Sequence, residues 1–189
     1  MTVRRLGLFG GTFDPPHFGH VAALRAAAQT GRYDRIDVTV AGDPYQKRGR
    51  GPLHAATQRL AMARAAFGEL ELVEISEREI HRRGPSYTID TVRELLEGVD
   101  EVDLIVGADL APQIDSWHDA QSLRDLVRVG VVPRPGGSLA MAAGWRSYEI
   151  PMEPVDLSSS FIRDLHPTGE ILRNLIPSAV IPLFESFGE

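Results

Sequence analysis

The segment Gly10–His20, GGTFDPPHFGH, sets two glycines, two prolines and two histidines between an apolar run and an alanine-rich one. Few folds need that set of residues at one turn. Val3–Phe9 is short and apolar and predicts a buried strand, while Val21–Ala28 predicts a helix. The segment therefore joins a strand's carboxyl end to a helix's amino end, the junction where open α/β sheets bind ligands and unpaired N–H groups favour phosphate. Gly10 and Gly11 let the backbone approach a ligand without Cβ interference. Asp14, Pro15 and Pro16 read as a capping carboxylate followed by fixed φ values, which starts the helix near Pro16. His17 and His20, three apart, then share one face beside the positive end of the helix dipole, with Gly19 leaving room between them. Two imidazoles so placed converge on one anion; the plainer alternative has one of them capping or packing and the other solvated. A first-turn histidine facing a cleft packs little, so His20→Ala is expected to cost turnover and leave folding stability nearly unchanged.

Further along, apolar runs at 6–9, 36–40, 70–75, 102–106, 127–132 and 148–150 read as strands, and 18–29, 55–67, 88–96 and 118–126 carry helical spacing. Gly31, Gly68, Gly98 and Gly130 follow those segments and read as helix stops. The alternation predicts right-handed βαβ crossovers: a Rossmann-like, three-layer α/β/α fold with a mostly parallel sheet. A short helical segment occupies about 158–189, within a single domain spanning 1–189. Pro133–Gly144 reads as a connection rather than a domain boundary. A net charge of −6 speaks against a nucleic-acid surface. The absence of cysteine excludes disulfides and cysteine zinc sites. No apolar run approaches the roughly 18 residues that span a bilayer, and the polar start lacks a secretory h-region, so a soluble cytoplasmic protein is expected, with no membrane partner.

GGTFDPPHFGH resembles the GGxFDPxHxGH signature of the HxGH nucleotidyltransferase superfamily, and especially of bacterial nicotinate mononucleotide adenylyltransferases. GLFGG is not GxGxxG, and no GxxxxGK[ST] loop occurs. The late segment LSSSFIR resembles the family's ISSTxIR, with Ser160 where threonine is usual; alone it reads as a serine-capped helix with an exposed arginine. IVGAD resembles its GAD element, DSWHD its GADxLxxLxxW pattern with Pro112 and Ile114 at positions often held by leucine, and GPSYT and RPG match closely. PYQK stands where many members have PPHK.

That resemblance implies transfer of AMP from ATP to nicotinate mononucleotide, giving deamido-NAD and pyrophosphate, with Mg²⁺ held mainly through ATP phosphates and water and no named protein ligand to the metal. It implies that His17, His20 and Arg163 are catalytic. Gly10, Gly11, Thr12, Phe13 and Gly19 would contact ATP along the first turn. Ser158, Ser159, Ser160 and Arg163 would hold the β- and γ-phosphates. Gly107 and Asp109 would meet the ribose or adenine, with Arg134 on the ATP side. Lys47, Tyr87, Thr88 and Trp117 would bind the acceptor, Trp117 by stacking on the pyridine ring. Structural readings stand beside these: Asp109 as a helix cap, Ser86 or Thr88 as another, Trp117 as core, and Lys47, Arg82 and Arg83 as solvated charges. Rival functions are use of nicotinamide mononucleotide or phosphopantetheine as acceptor, a non-catalytic nucleotide sensor, and a synthetase fragment, the last disfavoured by the acidic balance and the lack of a KMSKS-like loop. Acid against amide preference and oligomeric state, a homo-oligomer included, stay open.

Overall fold

The computed structural model describes residues 4–45, 53–137, 139, 142–165 and 167–187; Lys47 lies outside them. Six strands form one parallel sheet: β1 (Arg5–Gly11), β2 (Arg35–Val40), β3 (Val73–Ser76), β4 (Glu101–Gly107), β5 (Arg128–Val132) and β6 (Ser147–Glu149). Their spatial order is β3-β2-β1-β4-β5-β6. Parallel strands covered on both faces are buried on both, which is why β4 and β5 carry the runs Leu104–Val106 and Val131–Val132; β2 alternates instead, with Asp37 and Thr39 buried between Ile36, Val38 and Val40.

Helices α1 (Phe18–Gln29) and α2 (Ala56–Phe67) cover one face, where Phe9, Leu24, Ile36, Val38 and Phe67 form a core. Helices α4 (Thr88–Leu96) and α5 (Ala120–Leu126) cover the other, around Leu6, Leu8, Val92, Leu104 and Leu123. The short α3 (Arg78–His81) had no counterpart in the sequence reading, since four residues carry no measurable periodicity. At the carboxyl end α6 (Ser159–Leu165), α7 (Gly169–Arg173) and α8 (Ile181–Phe187) pack Ile162, Leu172, Ile176 and Val180 against Met62 of α2. No helix of the described residues is long and apolar enough to cross a membrane.

Gly130 is not a helix stop: it lies inside β5. A Cβ there would sit 2.8 Å from Ile150 Cδ1 and 3.1 Å from the Tyr33 hydroxyl, and one at Gly7 in β1 would sit 3.2 Å from the Tyr33 ring. Tyr33 shares that room with Ile150 at Gly130 and with Ile105, 2.9 Å from a would-be Cβ, at Gly7; its hydroxyl meets that of Tyr148, which in turn donates to Asp103 at 2.7 Å. Gly31, by contrast, has φ of +65° just beyond α1, as a helix stop requires.

The direction of winding reverses between β1 and β4, and that reversal opens a crevice at the strands' carboxyl ends. Most of the residues singled out in the sequence line it; Arg163 and Tyr87 do not, and Lys47 lies outside the described residues.

Candidate active site

A cleft of about 370 Å³ lies over the carboxyl ends of β1 and β4, within the size range of small-ligand sites. One wall is the Gly10–His20 turn. Its local geometry departs from the sequence reading in three ways, each with a cause.

First, α1 starts at Phe18 and His17 is its N-cap, extended at φ −139° and ψ 171°. Asp14 does not cap the helix. It is fully buried and its carboxylate receives the His54 backbone N–H at 3.1 Å and the His54 Nδ1 at 2.5 Å, a partner forty residues away that local spacing cannot reveal. Second, Gly11 is not kept bare for a ligand: a Cβ there would fall 2.6 Å from Phe13 Cζ. Phe13 adopts φ of 51° and tucks its ring under the turn against Phe9, His20 and Phe67. Gly10, with nothing within 4 Å of its would-be Cβ, does leave open space. Third, His20 is bound into the scaffold. Its ring stacks on His17 with centroids 3.7 Å apart, stands edge-on to Phe13 and Phe67, and takes the His17 backbone N–H on Nδ1 at 3.1 Å. Removing this side chain therefore also removes a cap bond, worth typically about 1 kcal/mol, so the expectation of near-unchanged stability on His20→Ala does not hold. The same bond fixes the tautomer: with Nδ1 accepting, neutral His20 carries its proton on Nε2. The space that Gly19 leaves is filled by the His17 ring, 3.0 Å from a would-be Cβ, rather than held open between the two imidazoles.

Ser158, Ser159 and Ser160 line the same cleft as His17 and His20. Ser158 is the N-cap of α6, accepting the Phe161 N–H at 3.1 Å, and Ser159 donates to the Pro15 carbonyl at 2.8 Å, which brings α6 against the first turn. Arg163, one turn on, donates through Nη1 to the Asp14 carbonyl at 2.5 Å and through Nη2 to Ser160 at 3.4 Å. Arg134, following β5, donates to the Val155 and Leu157 carbonyls at 3.2 and 2.7 Å and thereby sets the segment that leads to those serines. Its Nε is 3.6 Å from Asp109. The Asp109 carboxylate fills the space that Gly107 leaves, 2.4 Å from a would-be Cβ, and Asp109 does not cap the 3-10 turn Ala111–Ser116, whose N-cap is Leu110. Thr12 also lines the cleft.

The other end is aromatic. Trp117 and Thr88 line it together with Tyr45 and Ser86. Trp117 is half-buried, its packing shared between core and cleft. Tyr87 is the N-cap of α4, and its ring stacks on His118 at 3.9 Å and meets Tyr45 edge-on at 5.0 Å. Neither Ser86 nor Thr88 caps α4. Ser86 Oγ instead accepts the Gly42 and Asp43 N–H groups at 3.0 and 3.2 Å. Glu79 of α3 also lines the cleft, receives a 2.6 Å bond from Thr91, and has its carboxyl held above the ordinary range, burial being the largest cause. Arg82 pairs with Glu94 of α4 at 2.6 Å, so it braces the helix. Glu79 escaped the sequence reading because nothing near it in the chain marks it as a cleft residue, and within PYQK the reading chose Lys47 and passed over Tyr45.

The profile of the cytidylyltransferase-like family matches residues 8–167, and the chain belongs to that family. Within it the chain stands with the nicotinate-nucleotide adenylyltransferases. A relative from Methylibium petroleiphilum named "probable nicotinate-nucleotide adenylyltransferase" is 38% identical over 184 residues, covering 94% of this chain and 86% of the relative. One of the same name from Shouchella clausii is 34% identical over 185 residues, covering 97% and 95%. The fold is also that of a solved Plasmodium falciparum nicotinic acid mononucleotide adenylyltransferase complexed with NaAD. It superposes with a TM-score of 0.79 at 17% identity over 98% of this chain and 96% of the other.

Proposed function

We propose that the cleft joins the AMP part of ATP to nicotinate mononucleotide, releasing pyrophosphate and forming deamido-NAD. The observation that carries this reading is the shared cleft itself: stacked His17 and His20, with Ser158, Ser159 and Ser160 of the α6 start brought against the same turn, and Trp117 and Tyr45 in the same lining.

The acceptor's phosphate oxygen attacks the α-phosphorus, a new P–O bond forms, and the bond to the β-phosphate oxygen breaks with its electron pair leaving on pyrophosphate. No protein nucleophile takes part, so the chain's work is positioning and charge stabilisation. His20 donates from Nε2 to the transferring phosphoryl group, and His17, at the α1 N-terminus, adds a second imidazole beside the positive helix end. Ser159, Ser160 and Arg163 hold the β- and γ-phosphates; a guanidinium has five N–H donors, so Arg163 keeps some beyond those given to Asp14 and Ser160. Backbone at Gly10, Gly11, Thr12 and Phe13 lines the phosphate path with Gly19, and Gly107, Asp109 and Arg134 face the nucleoside of ATP. Thr88, Tyr87 and Trp117 receive the pyridine mononucleotide, and Lys47 meets its phosphate.

Among the described residues no group of three or more His, Asp or Glu could hold a metal ion, and Asp109, a carboxylate at the cleft, sits beside Arg134. That donor set fits Mg²⁺ arriving on the triphosphate with most of its water retained. When bound, the ion would neutralise phosphate charge. The substrates are water-soluble, and the reaction is assigned to the cytoplasm.

The deciding experiment mixes the purified chain with ATP and nicotinate mononucleotide and follows both pyrophosphate and deamido-NAD. Both are expected to accumulate in equal amounts only when the acceptor is present. ATP binding without product would leave a nucleotide sensor, and equal use of the amide mononucleotide would widen the acceptor class.

A further inference from the structure

Three backbone carbonyls from three separate segments converge on one buried guanidinium, that of Arg59 in α2. Arg59 is 2% exposed. Its Nε donates to the His54 carbonyl at 3.0 Å, its Nη1 to the Thr12 carbonyl at 3.0 Å, and its Nη2 to the Gly42 carbonyl at 3.2 Å. Thr12 belongs to the turn that carries His17. Gly42 follows β2, and its own N–H donates to Ser86 Oγ on the acceptor wall at 3.0 Å. His54 leads into α2 and grips Asp14 through both its N–H and its ring. One side chain thus ties the triphosphate turn to the wall of the acceptor compartment.

The rest of that helix face is apolar: Leu60, Met62, Ala63 and Phe67 are all buried. A hydrophobic residue would fill the place of Arg59 without the cost of desolvating a charge. That cost is real, since burial pulls the guanidinium's pKa down while the Asp14 carboxylate opposes it. We propose that Arg59 is a positioning residue for the transfer step, fixing the distance between the His17–His20 turn and the Gly42–Ser86 wall so that acceptor and α-phosphorus meet in line. The proposal rests on the reading of the cleft as an ATP and nicotinate mononucleotide site. A planar fork is suited to reaching three carbonyls in three directions, whereas an ammonium is a point charge on a flexible stem. The other side of the link is closed as well: a Cβ on Gly42 would stand 2.2 Å from the Glu79 carbonyl oxygen, so this segment already presses on α3. Slack introduced at Arg59 therefore appears as altered spacing between the two substrates, and a displacement of 1 Å can cost about 100-fold in rate.

The test uses Arg59→Lys and Arg59→Gln in the full chain, with folding checked by cooperative thermal unfolding. The expected result is a kcat at least about tenfold below the parent, while the KM for ATP and for nicotinate mononucleotide each move less than about threefold, because each compartment keeps its own contacts. A folded variant with parental kcat overturns the proposal, as does a loss that appears in one KM alone. Failure of both variants to fold also overturns it, because the guanidinium is then a requirement of the fold. A parent that forms no dinucleotide sinks the functional reading instead. The link is then read by amide exchange, which in the Lys variant should quicken together at Gly42 and at Ala41, whose N–H donates to the Gly11 carbonyl at 2.9 Å, and not in β4. Unchanged exchange at both overturns the proposal without reference to turnover.

Discussion

The two ends of the cleft are built by opposite means. At the proposed triphosphate end one contiguous segment, Gly10–His20, supplies seven of the lining residues, and its side chains are locked: His17 is 1% exposed, Phe13 2% and Asp14 0%. At the acceptor end Tyr45, Glu79, Ser86, Thr88 and Trp117 come from four stretches of chain, and their rings and hydroxyls are only partly buried, Glu79 excepted. A group that must stabilise charge at the moment of reaction gains from being held in advance, since no reorganisation is then needed. A compartment that must admit and release a flat ring has less use for that rigidity.

The contrast breaks most readily at His20. His20→Asn keeps an acceptor near the position of Nδ1 for the His17 N–H but loses the Nε2 donor, so kcat should fall about 100- to 1,000-fold with both KM values nearly unchanged. Steady-state kinetics on the folded variant decide it, and a rise in the KM for ATP without loss of kcat would place His20 in ground-state binding. Next in size is Ser86→Ala. It strands the Gly42 and Asp43 N–H groups, and a penalty of about 1–3 kcal/mol in urea unfolding is expected. An unchanged midpoint would mean that those amides find other partners. Trp117→Ala should raise the acceptor's KM about tenfold and spare that of ATP, in line with stacking on an aromatic face; the reverse order would move the pyridine ring elsewhere.

The smallest effect concerns pH. Glu79 has its folded-state pKa raised, so its contribution to stability is fully present below the ordinary glutamate value of about 4.3 and is lost as pH rises through the raised value. Glu79→Gln lacks this titration. Its urea midpoint should therefore gain on the parent's as pH rises above about 4.3. A difference that stays constant as pH rises from there would show that the carboxyl titrates alike in the folded and unfolded chain.

The same contrast decides what could be read from the chain alone. All six strands and the four longer helices were legible, with α4 matching residue for residue, because apolar periodicity is a local property. The triphosphate end was legible for the same reason: its motif is contiguous. What failed was whatever depends on a partner far along the chain. Asp14 reads as a cap until His54 closes on it, Gly11 reads as ligand access until Phe13 fills the space, and Gly130 reads as a helix stop until Tyr33 needs room over β5. Arg59 did leave a signal. It falls in register with Ala63 and Phe67, on the apolar face of its helix, where a charge has no reason to be unless something buried requires it.

The central place of β1 bears on how the molecule is made. Its partner on one side, β2, follows closely, but on the other side it pairs with β4, with Arg5 opposite Glu101. A nascent chain leaving the ribosome therefore carries one open, strongly apolar strand edge until some hundred residues have emerged, and such edges invite pairing with other chains. Overproduction at high temperature should expose that interval as aggregation during synthesis, even where the finished enzyme is stable.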